Sequence, residues 1–513
     1  MQFTLTQERI FAISLGLLVS ILAIDGRSLW IDEFGTWLIT QQNSFAMWWH
    51  AFLRETDSDG QLPFYHLYMY LWSGVFGTSE LALRLANAPW FMLATWGLTQ
   101  APLSARVRAC WLAILGLHAF SWYYLNEARP YVLFIAGTSL ASSGSLLIVL
   151  SPPSEEDDRR GVALFCAGCT LLLGASILGA LWVASLTLAL LWGCRDRLNA
   201  LLRAVSALWW FILPCFFISI AIFVIAVMSF MRGARAAAMG FSPLGIIYGL
   251  IETLGLSGLG PGRNELRMGA GPDVSLPVLC MLLASGLASL VVLRTMLRLP
   301  RNKLVLGTLA VLGPIVALAV LGQLLSMRIV GRHFAFVLVP MTLAFALAFA
   351  EFEFRLSAWN AALAVLAGSL LASSLLIRFS ATHQKDNYAR AAQEAVRVTC
   401  AGGSAWWAAD RRGAAYYGVV PLAKALDRSA SEIRRTPGIF IPYADRQIGS
   451  MPEPTAIFLS KPETYDADSF VRGFMKDKGY REAVSYPGFS VLARDENYAR
   501  VVRAFGSSNC VTR

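Results

Sequence analysis

Charge is scarce in this chain. Asp, Glu, Lys and Arg make up 15% of its 513 residues, where soluble domains carry roughly 25%. An ordinary soluble architecture is therefore excluded for most of the length. Histidine is scarcer still, with five copies, and no His, Cys or carboxylate spacing matches a metal site. Cysteine is also sparse, at eight. Cys166 and Cys169 form a C-x-x-C, but inside an apolar span with no further ligands, so they read as packing residues. Cys400 and Cys510 are the two that fall in the polar C-terminal region, where an oxidising compartment could pair them. A small-residue cleavage site after the first apolar run is missing too, so that run reads as a retained helix. Internal repeats of the transporter kind are absent.

What is present is apolar sequence. Hydrophobic residues reach 56%, and mean hydropathy is +0.55. Repeated runs of about 20 residues can each cross ~30 Å of hydrocarbon. The net charge of +10 is not a nucleic-acid signature, because the basic residues fall in short loops between spans, as positive-inside topology requires. Phe11–Ile24 is the first span, with the N-terminus and Arg9 placed in the cytoplasm. The long loop from Asp25 to about Glu80 contains Leu62–Phe76, an aromatic-rich stretch short for a crossing and suited to an interfacial helix. With that stretch flat, Arg106 and Arg108 fall in the cytoplasm, and Asn126 to Arg129 return to the face of Asp32 and Glu33.

The remaining spans follow by the same parity. Leu81–Leu98, Cys110–Leu125 and Tyr131–Leu150 cross in turn, and Ser151–Arg160 reads as a solvated turn. Val162–Trp192 needs an even number of crossings, met by two short helices turning near Gly174-Ala175-Ser176. Ala204–Ser229 leads into a Gly/Pro-rich loop, Arg232–Pro272, then Val274–Leu293, Leu304–Leu324, Phe334–Ala350 and Ala358–Ile377 follow. The expected fold is an α-helical polytopic membrane protein of about eleven spans, occupying residues 1–377. Residues 378–513 have soluble composition and read as a small extracytoplasmic α/β domain. Its expected helices are Asp386–Val398 and Ala467–Lys478. Its expected strands are Ala405–Ala408, Gly438–Pro442, Thr455–Leu459 and Phe489–Ala493.

Trp30-Ile31-Asp32-Glu33-Phe34 sits just beyond the first span. A carboxylate pair there either caps the following helix or serves a site, since interfacial ionisable groups are costly to keep. Parity gathers Asp32, Glu33, Asp57, Asp59, His66, Arg84, Glu127, Arg129, Arg328, Arg332 and His333 on one face. Guanidinium groups suit bidentate contact with phosphate oxygens, and a carboxylate beside them can act as general base. That is the layout of an enzyme using a lipid-phosphate substrate at the membrane surface. Blander readings stand beside these. Thr56-Asp57-Ser58-Asp59-Gly60 is a turn-forming sequence whose acids are expected to be solvated. His66 also reads as an interfacial aromatic, and Arg84 as a snorkelling group. Glu127 and Arg129 can form a structural pair. Arg263 and Arg267 fall in the Gly/Pro-rich loop, where contact with anionic lipid suffices.

Five stretches, in order, resemble one family. Ser28-Leu29-Trp30-Ile31-Asp32-Glu33 resembles the first-loop W-x-D-E signature of GT-C superfamily glycosyltransferases. The narrower likeness is to the bacterial branch related to protein O-mannosyltransferases, the lipid A aminoarabinose transferase and the lipopolysaccharide galacturonosyl transferases. Gln61-Leu62-Pro63-Phe64-Tyr65 stands where that family has PPLYY, with Gln and Leu as the departure. Phe76-Gly77-Thr78-Ser79-Glu80 with Arg84-Leu85, Trp122-Tyr123-Tyr124 with Glu127-Ala128-Arg129-Pro130-Tyr131, and Gly331-Arg332-His333-Phe334 with Pro340 complete the set. The resemblance covers roughly residues 10–350.

It implies inverting transfer of a sugar from a polyprenyl-phosphate donor to a hydroxyl acceptor, at the periplasmic face of the bacterial inner membrane. The catalytic base falls on Asp32, with Glu33 shaping the acceptor site. Glu127, Arg129 and Tyr131 would line the pocket, and Arg84, His66, Arg328, Arg332 and His333 would meet substrate. Donors of this type generally need no metal, so no metal or cofactor is expected. The expected partners are the lipid-linked donor, a glycolipid, glycan or protein acceptor, and membrane lipid; nucleic acid is not among them. The alternative is a transporter or flippase of a lipid-linked glycan, which would place its charges near mid-bilayer. A phosphoethanolamine transferase would want metal ligands and a Ser or Thr nucleophile in the soluble part, and neither is evident.

Overall fold

The computed structural model describes residues 4–54, 58–232, 242–267, 275–326, 329–353, 355–419, 438–442, 453–494, 497 and 501. They fall into two compact units, one of Met1–Asp25 with Ile39–His383, the other of Gly26–Leu38 with Gln384–Arg513.

The first unit is helical. Helix α1 (Leu5–Ala23) opens on a capping box at Thr4 and Gln7, which satisfies two otherwise orphaned backbone donors. Helix α2 (Ile31–Thr40) begins in the second unit and ends in the first. Then come α3 (Phe45–Arg54), α4 (Pro63–Phe76), α5 (Glu80–Leu85) and α6 (Asn87–Leu98). Helices α7 (Ala105–Leu117), α8 (Ala119–Leu125) and α9 (Tyr131–Leu150) follow. The break between α7 and α8 has a local cause: His118 Nδ1 accepts the Phe120 N–H at 3.2 Å and caps the new helix. Helix α10 (Glu155–Ala175) turns at Ser176 into α11 (Gly179–Gly193), as the even-crossing requirement predicts. The charged run at Glu155–Asp158 is not a turn but the first turn of α10, capped by Ser154. Four acids at a helix N-terminus complement its dipole.

Helices α12 (Leu198–Ala207) and α13 (Trp209–Met231) divide the next apolar run. The expected Gly/Pro-rich loop contains α14 (Pro243–Thr253) and α15 (Arg263–Arg267). Helices α16 (Leu276–Leu297), α17 (Arg301–Leu324), α18 (Leu338–Ala350) and α19 (Ala358–Phe379) complete the unit, with a 3-10 turn at Gly331–Val337 before α18. Among the described residues, six helical segments are long and apolar enough to cross a membrane: Leu5–Ala23, Tyr131–Leu150, Trp209–Met231, Leu276–Leu297, Gly331–Ala350 and Ala358–Phe379. Three shorter apolar helices accompany them. Several expected crossings are thus split into shorter helices, and the count of about eleven is not matched by helices of spanning length.

Side-chain pairs define two ends of this unit. At one, Arg108 is bidentate on Glu8 at 2.6 and 2.7 Å, Arg106 donates to the Phe352 carbonyl, and Arg298 pairs with Glu351. Arg108 and Glu8 bring the starts of α1 and α7 together, so an even number of passes separates them. At the other end, Asp25 N–H donates to Asn126 at 2.9 Å, and Arg84 and Arg378 both reach the Asp25 carboxylate. Helix α4 keeps to this second end, with Tyr68 and Trp72 donating to the carbonyls of Ala86 and Ala82.

The second unit is an α/β module. Strands β1 (Ala405–Ala408), β2 (Ile439–Phe440), β3 (Ala456–Leu459), β4 (Tyr480–Tyr486) and β5 (Phe489–Arg494) form one sheet in the order β2-β1-β3-β5-β4. The first three run parallel, and β5 and β4 add antiparallel. Helices α20 (Tyr388–Cys400) and α23 (Phe470–Lys478) pack against it, and α21 (Arg411–Tyr416) and α22 (Pro462–Tyr465) complete the unit. Neighbouring tryptophans on β1 face opposite ways, as period-two alternation demands. Trp406 meets Phe470 and Phe474 of α23, while Trp407 meets Tyr388 of α20 and Phe489. The unexpected strand is β4, whose middle residues are largely exposed. Cys400 is disulfide-bonded, whereas Cys166 and Cys169 are free thiols. Cys510 lies outside the described residues.

Candidate active site

Most of the candidate residues meet at the Asn126 end of the first unit. The turn between α8 and α9 is fixed from below by Asn87, whose amide donates to the carbonyls of Tyr124, Leu125 and Glu127, the last at 2.6 Å. Glu127 is fully buried, and Arg129 is 4% exposed. Arg129 N–H donates to the Glu127 carbonyl at 2.7 Å.

The Arg129 guanidinium closes on Asp59, and His66 Nε2 lies 3.6 Å from the same carboxylate. Asp59 is therefore not a solvated turn residue but 4% exposed. Burial alone would raise its carboxyl pKa; the Arg129 charge, with His66, overrides that and holds it below the usual carboxylate range. Asp57 and Arg328 lie outside the described residues.

A second ionic set is built around Glu252, an acid that sequence reasoning left unused. Glu252, near the end of α14, is buried and takes Arg263 Nη2 at 2.6 Å and Nε at 3.1 Å. Arg263 also donates to the Tyr124 hydroxyl at 2.7 Å and lies over the Tyr123 ring, 3.9 Å from its centroid. It is thus a packed group rather than a loop-borne lipid contact. Burial works against its charge, and Glu252 and the neighbouring tyrosines more than restore it. Tyr131 stacks edgewise on Tyr124, 4.7 Å between centroids. The Gly331 turn abuts Glu252 closely: a Cβ at Gly331 would overlap Glu252 Oε2. Arg332 and His333 follow in that turn, both half-buried. Arg84 is fully buried against Asp25. A carboxylate in an otherwise apolar helix, such as Glu252 in Pro243–Thr253, was the available signal for this set.

Asp32 and Glu33 belong to the second unit. Glu33, third residue of α2, reaches back to accept the Trp30 N–H at 3.1 Å and is fully buried. That is half of a capping box, so the capping reading holds for Glu33. Asp32, one residue earlier, is half-buried.

No family model matches the sequence, and no curated protein matches it. Two solved structures are similar, both of ArnT from Cupriavidus metallidurans. The apo form is 12% identical at a TM-score of 0.49, and the form bound to undecaprenyl phosphate is 13% identical at 0.48. Each alignment covers 96% of this chain and 98% of the other.

Proposed function

We propose that this chain is a membrane glycosyltransferase. It moves a sugar, with inversion, from a polyprenyl-phosphate donor to a hydroxyl acceptor at the periplasmic face of a bacterial inner membrane. The observation that supports it best is the set of buried ion pairs at one end of the helical unit, Arg129 on Asp59, and Arg263 on Glu252 beside Tyr123 and Tyr124. Guanidinium groups fixed in this way are preorganised for an anionic leaving group.

Asp32 is the base in this reading. Its carboxylate takes the proton of the acceptor hydroxyl as that oxygen attacks the anomeric carbon. The carbon–oxygen bond to phosphate breaks on the opposite side, and the polyprenyl phosphate leaves with the electron pair. Glu33 shapes the turn that carries Asp32. The acceptor class covers lipid A or lipopolysaccharide, another envelope glycan, or protein.

The test uses membranes of a deletion strain, which contain the natural donor and acceptor, complemented with wild type or Asp32→Asn. Mass spectrometry of the envelope glycolipids and glycoproteins then identifies the missing product. Asp32→Asn is expected to lower the rate of product formation by about 10²–10⁴-fold at unchanged protein level. Product formation near the wild-type rate rejects the assignment.

A further inference from the structure

In α/β folds the C-terminal edge of the parallel strands is where ligands dock, because strand-end loops and helix N-termini converge there. In the second unit that edge is filled by the chain's own segment Gly26–Leu38. Lys461 follows β3 and α21 follows β1, while α20 starts beside them before running back to β1. Each meets the segment. Ser28 Oγ accepts the Ala389 N–H at 3.1 Å, and the Tyr417 hydroxyl lies 3.1 Å from the same oxygen. That hydroxyl also accepts the Leu29 N–H at 2.8 Å. The Trp30 ring lies 5.3 Å from the Lys461 ammonium, which is itself tied to Asp386 at 2.5 Å. On the far side of Asp32, Phe34 stands edge-on to Tyr388 with 5.0 Å between centroids. A Cβ on Gly413 would come 2.7 Å from the Phe34 ring, so only glycine permits that approach.

Lys461 supports the same view from the backbone. It holds φ at +47°, a left-handed conformation unfavourable for a residue with a side chain, and such strain persists where surrounding contacts over-determine it. Asp32 lies two positions from Trp30 and two from Phe34, so its backbone is pinned on both flanks.

We infer that the C-terminal α/β domain is a clamp that sets the position of Asp32, with Tyr417 as the principal positioning residue. The sheet edge that elsewhere takes a ligand takes this segment instead. The inference rests on the base role proposed for Asp32, and it gives the soluble domain a part in the reaction rather than a separate activity. A base displaced by about 1 Å loses up to about 10²-fold in rate, so the clamp acts on rate and not on donor affinity.

The test compares Tyr417→Phe, Ser28→Ala and Ser28→Thr in the full-length chain. Tyr480→Phe serves as control, since it deletes a buried hydroxyl bond to the Pro454 carbonyl in the same domain away from the segment. Product formation is followed in deletion-strain membranes, binding of undecaprenyl phosphate on purified protein, and amide exchange over residues 26–38. Tyr417→Phe and Ser28→Ala are expected to slow product formation about tenfold, leave undecaprenyl phosphate affinity within about twofold, and speed exchange over 26–38. Ser28→Thr, which keeps the hydroxyl, retains the rate, and so does Tyr480→Phe. If Tyr417→Phe does not fold, Ser28→Ala against Ser28→Thr decides. Wild-type rate and exchange in Ser28→Ala overturn the clamp, and so does an equal loss in Tyr480→Phe. Those results, with Asp32→Asn inactive, leave the glycosyltransferase reading intact, whereas an active Asp32→Asn removes that reading and the clamp with it.

Discussion

Arg129 and Asp59 are 70 positions apart in sequence and joined by a buried ion pair, with 5% and 6% of their side chains exposed. Breaking such a pair strands a charge in a low-dielectric site, at a cost of about 3–5 kcal/mol. Arg129→Gln and Asp59→Asn are each expected to destabilise the helical unit by that amount. The double variant should be less unstable than the sum of the two, because it strands no charge. Thermal or chaotrope unfolding in detergent measures all three. Additive single effects would show that the pair is not the source.

The same pair fixes a pH dependence. Asp59 is held below its unfolded carboxyl value, which is about 3.9. Its stabilising contribution is therefore complete above that value and declines as pH falls through it towards the folded value. Because the His66 ring lies 3.6 Å away, the comparison is best made in a His66→Asn background. The stability gap between that protein and its Asp59→Asn derivative should stay flat from pH 5 to 8 and shrink below about pH 4. A gap that widens on acidification contradicts the sign.

Asp32 and Glu33 should separate cleanly by readout. Glu33 accepts the Trp30 N–H, so Glu33→Ala removes a helix cap and is expected to cost about 1 kcal/mol. Glu33→Gln keeps an acceptor oxygen and should cost much less. Asp32→Asn is expected to lose rate while leaving the unfolding midpoint in place. Parallel stability and product assays on the three variants check this, and an Asp32→Asn that unfolds early would make Asp32 a structural acid.

Gly331 marks a steric requirement next to Arg332 and His333. A Cβ there would overlap Glu252 Oε2, and Glu252 is what holds Arg263. Gly331→Ala is expected to destabilise by about 1–3 kcal/mol, the usual cost of overpacking, and to slow product formation by displacing Arg263. Adding Glu252→Asp retracts the carboxylate by one methylene and should recover more than half of the stability. A double variant no better than Gly331→Ala alone would rule out the clash as the cause.

Local patterns made several elements legible before any contact was known. Helix α9 covers the span read from its apolar run, the chain turns at Ser176, and β1 has the expected bounds. The lost features are those set by distant partners. Asp59 sits in a turn-forming sequence, and only Arg129, brought by another helix pair, explains its burial. Strand β4 has no signal in the sequence, because its middle residues are largely exposed and carry no apolar alternation. The docking of Ser28 on Ala389, 361 positions away, leaves no trace in any window of sequence.

Helices α9 and α10 approach so closely that their glycines carry a prediction with a sign of its own. A Cβ on Gly144 would come 2.6 Å from the Gly161 carbonyl, and one on Gly168 would come 2.6 Å from the Gly137 carbonyl. The matched positions run in opposite directions, so the two helices are antiparallel, with small residues letting their backbones touch. Replacing glycine by alanine inside a helix normally stabilises, by up to about 1 kcal/mol. Gly286 of α16 has nothing within 4 Å of an added Cβ, so Gly286→Ala should show that gain. Gly168→Ala has the same propensity gain but meets backbone, and should destabilise by about 1–3 kcal/mol instead. Because α9 begins two residues after Arg129, prising it from α10 should also slow product formation, whereas Gly286→Ala should leave the rate alone. Unfolding and rate measurements on the two alanine variants check both signs, and a stabilised Gly168→Ala would show that the helices are not packed backbone to backbone.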